Sequence, residues 1–129
     1  MLREKVMLVE DNPQNMKLLE MLLRSKSYIL LKACDGEAAL DMATREQPDL
    51  IVMDMQLPGM SGIEVTKRLR QMPVFRHTPI IALTAYAMRG DKERFLEAGC
   101  DAYLSKPIST RELPGIIAQM LQEHKPNNA

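Results

Sequence analysis

The chain has 129 residues and a mass of 14.6 kDa, which suits one ordinary domain built on a single core. Seventeen Lys plus Arg balance seventeen Asp plus Glu, so no net field draws the protein to phosphate backbones or anionic lipid, and nucleic-acid binding is disfavoured. No apolar run approaches the roughly 18 residues of a membrane span, and the N-terminus has neither the apolar stretch nor the cleavage site of a signal peptide, so a cytoplasmic protein without membrane insertion is expected.

Short β-branched, apolar runs alternate with helical patterns along the chain. The first run, Val6 to Val9, ends in Glu10-Asp11, and Asn12-Pro13 places an N-cap and a proline at the start of a helix carrying Met16, Leu19, Leu22 and Leu23. A second run over Tyr28 to Leu31 precedes a helix with Ala39, Leu40 and Ala43 on one face. The third, Leu50 to Met53, delivers Asp54, after which the Pro58-Gly59 turn and Gly62 redirect the chain. Ser61 and Glu64 then form the pattern of a capping box at the head of a helix with Ile63, Thr66 and Leu69.

The fourth run, Ile80 to Leu83, leads into Thr84-Ala85 and a helix with Phe95, Leu96 and Ala98, which Gly99 is placed to terminate. The fifth, Ala102 to Leu104, leads into Ser105-Lys106-Pro107. Ser109 and Glu112 match a second capping box before Ile116, Ile117, Met120 and Leu121. Pro114 and Gly115 interrupt that last helix and predict a kink or a late start. Residues 1–124 are expected to form the domain, and 125–129 a frayed tail.

Runs such as VMLV and LIVM are apolar without alternation, as strands covered on both faces require. Five βα units of this kind predict an α/β fold with a doubly wound five-stranded parallel sheet and five helices. Such a sheet presents its strand ends along one edge, where ligands bind. Glu10, Asp11, Asp54, Thr84 and Lys106 all fall there. Any one of them alone reads more simply as a cap or a surface charge, but five at one edge point to a site.

Crowded carboxylates repel unless a pKa rises or a cation binds. Oxygen ligands without His or Cys favour a hard divalent ion, and a cage left open for water and phosphate favours Mg²⁺. With such an ion present, Asp54 is the candidate nucleophile toward a phosphoryl group, with Lys106 supplying a point charge and Thr84 a hydroxyl donor. Cys34 and Cys100 form no CxxC and meet no His cluster, His77 reads as a surface loop residue, and both thiols read as mostly buried fillers rather than a zinc or redox site. Most of the eleven Met residues are expected to fill the core.

With those residues in place, the stretches VMLVEDNPQN, PDLIVMDMQLPGMSG, PIIALTA and GCDAYLSKPIS resemble the receiver domain of two-component response regulators across nearly the whole chain. The text is especially similar to that of single-domain cell-cycle regulators and of receivers attached to hybrid histidine kinases. The resemblance implies a flavodoxin-like fold with strand order 2-1-3-4-5. It implies Asp54 as phospho-acceptor, Glu10 and Asp11 as the acidic pair at the Mg²⁺ site, Thr84 as switch hydroxyl, Lys106 as phosphate partner, Tyr103 as switch aromatic and a cis bond before Pro107. Gln56 would add its backbone carbonyl to the metal site.

No loop of the type that holds ATP is present, so the phosphoryl group is expected from a phosphohistidine on a sensor histidine kinase or a histidine phosphotransfer protein. Output is expected through a downstream target protein docking on the fourth helix, fifth strand and fifth helix, including Met88, Arg89, Lys92, Arg94, Phe95 and Arg111, with the chain a monomer or weak dimer. Two alternatives stand beside this reading. A haloacid-dehalogenase-like phosphatase also uses Asp, Thr, Lys and Mg²⁺, but needs a second Asp where this chain has Gln56. An unphosphorylated pseudo-receiver would lack part of the set that is complete here.

Overall fold

The computed structural model describes residues 3–85 and 91–124. Five strands, β1 (Lys5–Val9), β2 (Ile29–Ala33), β3 (Leu50–Asp54), β4 (Ile80–Thr84) and β5 (Ala102–Ser105), form one sheet in the order β2-β1-β3-β4-β5. Every pairing is parallel. Five helices connect and follow the strands: α1 (Pro13–Leu23), α2 (Gly36–Glu46), α3 (Gly62–Arg70), α4 (Asp91–Ala98) and α5 (Glu112–His124). The chain leaves β1 toward β2 and returns on the other side of β1 to β3, so the topological switch lies between β1 and β3.

The period-two geometry of the strands sorts the core into two layers. Met7, Val9, Ile51, Met53, Ile80 and Ala82 pack against Ala39, Ala43, Val65, Leu69 and Phe95 from α2, α3 and α4. Val6, Leu8, Leu50, Val52, Ile81 and Leu83 pack against Leu19 and Leu23 of α1 and Leu113, Ile117 and Leu121 of α5. Both faces of the central strands are thereby covered, which is why β1, β3 and β4 carry apolar residues without alternation.

The helix starts follow the sequence signals. Asn12 caps α1 by accepting from Gln14 and Asn15, with Pro13 at the first helical position, and Ser61 caps α3 by accepting from Glu64. In α5 the Ser109 hydroxyl accepts from the Arg111 and Glu112 amides. The helix begins at Glu112, so Pro114 sits in the first turn, where its missing N–H has no intrahelical partner to lose. The late start resolves the conflict that a proline deeper in the helix would create.

Three expectations shift. β2 runs to Ala33 instead of ending at Leu31, because the register carries Val9 to Ala33 and Glu10 N–H donates to the Ala33 carbonyl. As an edge strand it tolerates the exposed Lys32. A short 3-10 turn over Pro73–Phe75 plugs the core with Phe75. Cys34 is exposed because the chain leaves the sheet edge there to reach α2, whereas Cys100 is buried against Thr66 and its thiol is pushed up to about 11, mainly by burial. Residues 125–129 lie outside the described residues.

Arg70 ties together the end of the sheet remote from the strand tips. Its guanidinium donates to the carbonyls of Gly99, Phe75 and Thr78 and to Asp101 Oδ2, which also accepts from the Ile80 amide. Gly99 must lack a side chain, since its φ is +121° and a Cβ would meet Arg70 Cγ at 2.7 Å. Arg70→Ala is expected to cost about 2–3 kcal/mol by urea denaturation, because several acceptors lose a charged donor at once. A loss near zero would mean that water replaces the guanidinium at no cost.

Candidate functional site

Glu10 follows β1, Asp54 ends β3, Thr84 ends β4 and Lys106 follows β5, so the parallel sheet itself brings them to one edge. Glu10, Asp54 and Thr84 are buried and Asp11 is exposed. One carboxylate oxygen from each of Glu10, Asp11 and Asp54 lies within 4.8 Å of the others. Gly62 lets α3 pack directly on the backbone at the end of β3, for a Cβ there would collide with the Asp54 carbonyl oxygen and Met55 Cα.

Lys106 Nζ is the counter-ion of this cluster, 3.0 Å from Asp54 Oδ2 and 3.1 Å from Glu10 Oε1. The peptide bond between Lys106 and Pro107 is cis. The contact to Asp54 is a hydrogen bond. The contact to Glu10 is an ion pair off the hydrogen-bonding direction, so the buried Oε1 has no hydrogen-bond donor. The other Glu10 oxygen accepts from the Asn12 amide at 3.1 Å.

A buried carboxylate oxygen that has an ion pair but no hydrogen-bond donor, beside two further carboxylates, fits a hard divalent cation in chemistry and in charge, and Mg²⁺ meets both conditions. Burial, helped by the Asp54 charge, raises the Glu10 pKa above its ordinary 4.5 despite the opposing Asn12 and Lys106 contacts. Burial works to lower the Lys106 pKa, but its hydrogen bond to Asp54 and its ion pairs with Asp54 and Glu10 outweigh that and raise it above 10.5.

These directions set a pH dependence for the metal-free protein. A Glu10 pKa raised by folding contributes stability fully below 4.5, and that contribution disappears as pH rises through the folded value. Denaturation in the presence of a chelator should therefore show stability falling from pH 4.5 toward neutrality, and Glu10→Gln should flatten this segment. An unchanged slope in Glu10→Gln would assign it to another group.

Asp54 Oδ1 accepts from the Gln56 amide at 2.9 Å. The Gln56 side chain turns to the end of β4, donating through Nε2 to Thr84 Oγ1 at 2.9 Å and accepting the Ala85 N–H through Oε1 at 3.0 Å. Sequence reasoning used only the Gln56 carbonyl and missed this side chain. Tyr103 is half-buried on β5, with its ring 6.4 Å from that of Phe95 and 6.0 Å from Lys92 Nζ. Phe95 itself is buried, a correction to its placing on the docking face, because Ala98 and Phe95 form the inward side of α4. Met88 and Arg89 lie outside the described residues. His77 is exposed in the loop before β4.

The model of the response regulator receiver domain matches residues 6–118. The chain belongs to the response regulator receiver family. It is 52% identical over 106 residues to the polar-differentiation response regulators DivK of Brucella anthropi and Brucella ovis, covering 82% of this chain and 86% of each relative. The fold superposes on the receiver domain of sensor histidine kinase PA1611 from Pseudomonas aeruginosa with a TM-score of 0.86 and 40% identity, covering 94% of this chain and 99% of that one. That structure has a magnesium ion coordinated in its active site cleft. Chemotaxis protein CheY4 from Vibrio cholerae superposes with a TM-score of 0.87 at 27% identity, over 92% of this chain and 99% of its own. Among the described residues no helix is long and apolar enough to cross a membrane.

Proposed function

We propose that this chain is a phospho-accepting switch of a cytoplasmic two-component phosphorelay, in which Asp54 takes a phosphoryl group from a phosphohistidine on a sensor histidine kinase or histidine phosphotransfer protein. The observation that carries the reading is the meeting of buried Asp54 with a half-buried counter-ion, Lys106, inside an acidic cluster of a receiver fold. The N–P bond of the donor breaks as a P–O bond forms to an Asp54 oxygen. The imidazole leaves with the electron pair and takes a proton from solvent.

Glu10, Asp11, Asp54 and the Gln56 backbone carbonyl would hold Mg²⁺, which when bound supplies positive charge against the carboxylates and the phosphoryl oxygens. Lys106, which bridges two carboxylates before transfer, pairs with a phosphoryl oxygen after it, and the Thr84 hydroxyl donates to another. Tyr103 responds on the neighbouring strand, altering the α4–β5–α5 face to which a downstream target protein docks as the population shifts. Residues 1–124 form the receiver, acting as a monomer or weak dimer and without nucleic-acid contact. No turnover of a separate substrate belongs to this role.

Incubation with acetyl phosphate and Mg²⁺ should add one phosphoryl group to the intact mass, and hydroxylamine, which cleaves acyl phosphates, should remove it. A mass that never changes, or an adduct that resists hydroxylamine, would overturn the reading.

A further inference from the structure

We infer that the Gln56 carboxamide is a clamp that holds the end of β4 in its resting place and keeps the Thr84 hydroxyl, which accepts from it, away from the position in which it would donate to a phosphoryl group, an inference that rests on Asp54 being the phospho-acceptor. Gln56 is a positioning residue in this role, acting through Thr84 and Ala85. Its carboxamide orientation is fixed by chemistry, because the Ala85 N–H can only donate and therefore faces Oε1, which leaves Nε2 to face Thr84 Oγ1. The Gln56 backbone N–H is meanwhile bound to Asp54 Oδ1. One residue thus grips the phospho-acceptor by its backbone and two successive residues of the β4 end by its side chain.

The place where the clamp holds Thr84 gives its sign. Gln56 and Thr84 line a cavity of about 170 Å³ together with Ser61, Asp91, Arg94 and Phe95, on the side of α4, and Glu10, Asp11 and Asp54 do not line it. A phosphoryl group on Asp54 that recruits the Thr84 hydroxyl draws it from the Gln56 amide, and any advance of the loop after β4 draws Ala85 from Oε1. Both bonds belong to the resting state. An interaction made in one state alone biases the equilibrium toward that state, and its removal strengthens whatever binds the other. Gln56 is itself exposed, so its replacement opens no hole in the core.

The test is an amide-NMR titration of the full chain with beryllofluoride and Mg²⁺, comparing wild type with Gln56→Met, which keeps side-chain length and the backbone groups, and Gln56→Ala. Both variants should bind beryllofluoride about three- to tenfold more tightly, as expected for two modest hydrogen bonds lost from the resting state. Without beryllofluoride or metal, the Ala85 amide should exchange with solvent several-fold faster in both. Combining either variant with Thr84→Ala should erase the affinity gain. Equal or weaker binding by Gln56→Met, with wild type binding normally, would overturn the clamp alone. A wild type that takes no beryllofluoride would overturn the phospho-acceptor reading and the clamp's role with it.

Discussion

Asp54→Asn is expected to lose all labelling by acetyl phosphate and Mg²⁺ while keeping its fold. The amide is isosteric with the carboxylate but is a poor nucleophile, so the chemistry fails without a change of shape. The local bonds favour a folded variant. The Gln56 N–H can still donate to Oδ1, and the Lys106 ammonium, losing the Asp54 charge, keeps Glu10 at 3.1 Å. Removing one of three crowded carboxylates also relieves repulsion, so stability should stay within about 1 kcal/mol of the wild type in the absence of metal. Intact-mass spectra and urea denaturation check the two halves separately. An undiminished adduct on a folded Asp54→Asn chain would place the phosphoryl group elsewhere, whereas an unfolded variant would show that the Asp54–Lys106 contact is structural first.

Much of this site is legible in the sequence because a parallel sheet converts chain order into spatial position. Each strand end lies at the same edge, so Glu10, Asp54, Thr84 and Lys106 are brought together by the repetition of βα units and not by any local motif. The capped helix starts at Asn12 and Ser61 are legible for a different reason, since those signals act within a few residues. What escapes is set by tertiary contact. The Gln56 side chain carries no periodicity and no charge, and only the adjacency of β3 and β4 brings it to Thr84 and Ala85. Arg70 reads as one more cation among Lys67, Arg68 and Arg70 at the end of α3, yet it alone turns inward to meet Gly99 and Thr78. Phe95 and Cys34 exchange their expected exposures because helix phase and the end of an edge strand cannot be fixed from short apolar runs.

Lys106→Met is expected to have the largest effect on stability and to depend on pH in a way no simple packing loss would. The ammonium sits between two buried carboxylates with its own side chain only 17% exposed, so solvent cannot replace it. Deleting the charge while keeping most of the apolar stem should destabilise the metal-free protein by about 3 kcal/mol near pH 7, the usual scale for breaking a buried ion pair. Without Lys106, the contact that lowers the Glu10 pKa is gone, and burial raises that pKa further. The folded variant then holds its proton over a wider range above 4.5 than the wild type does, and its stability falls more steeply as pH rises through that range. Acidification toward 4.5 should thus narrow the gap between variant and wild type, and Mg²⁺ near neutrality should narrow it again by supplying the missing positive charge. The same substitution should uncouple beryllofluoride binding from amide shifts around Tyr103, since the phosphoryl oxygen loses its charged partner. A gap that stays constant from pH 4.5 to 7 would show that the Lys106 stem, and not its charge, supports the fold.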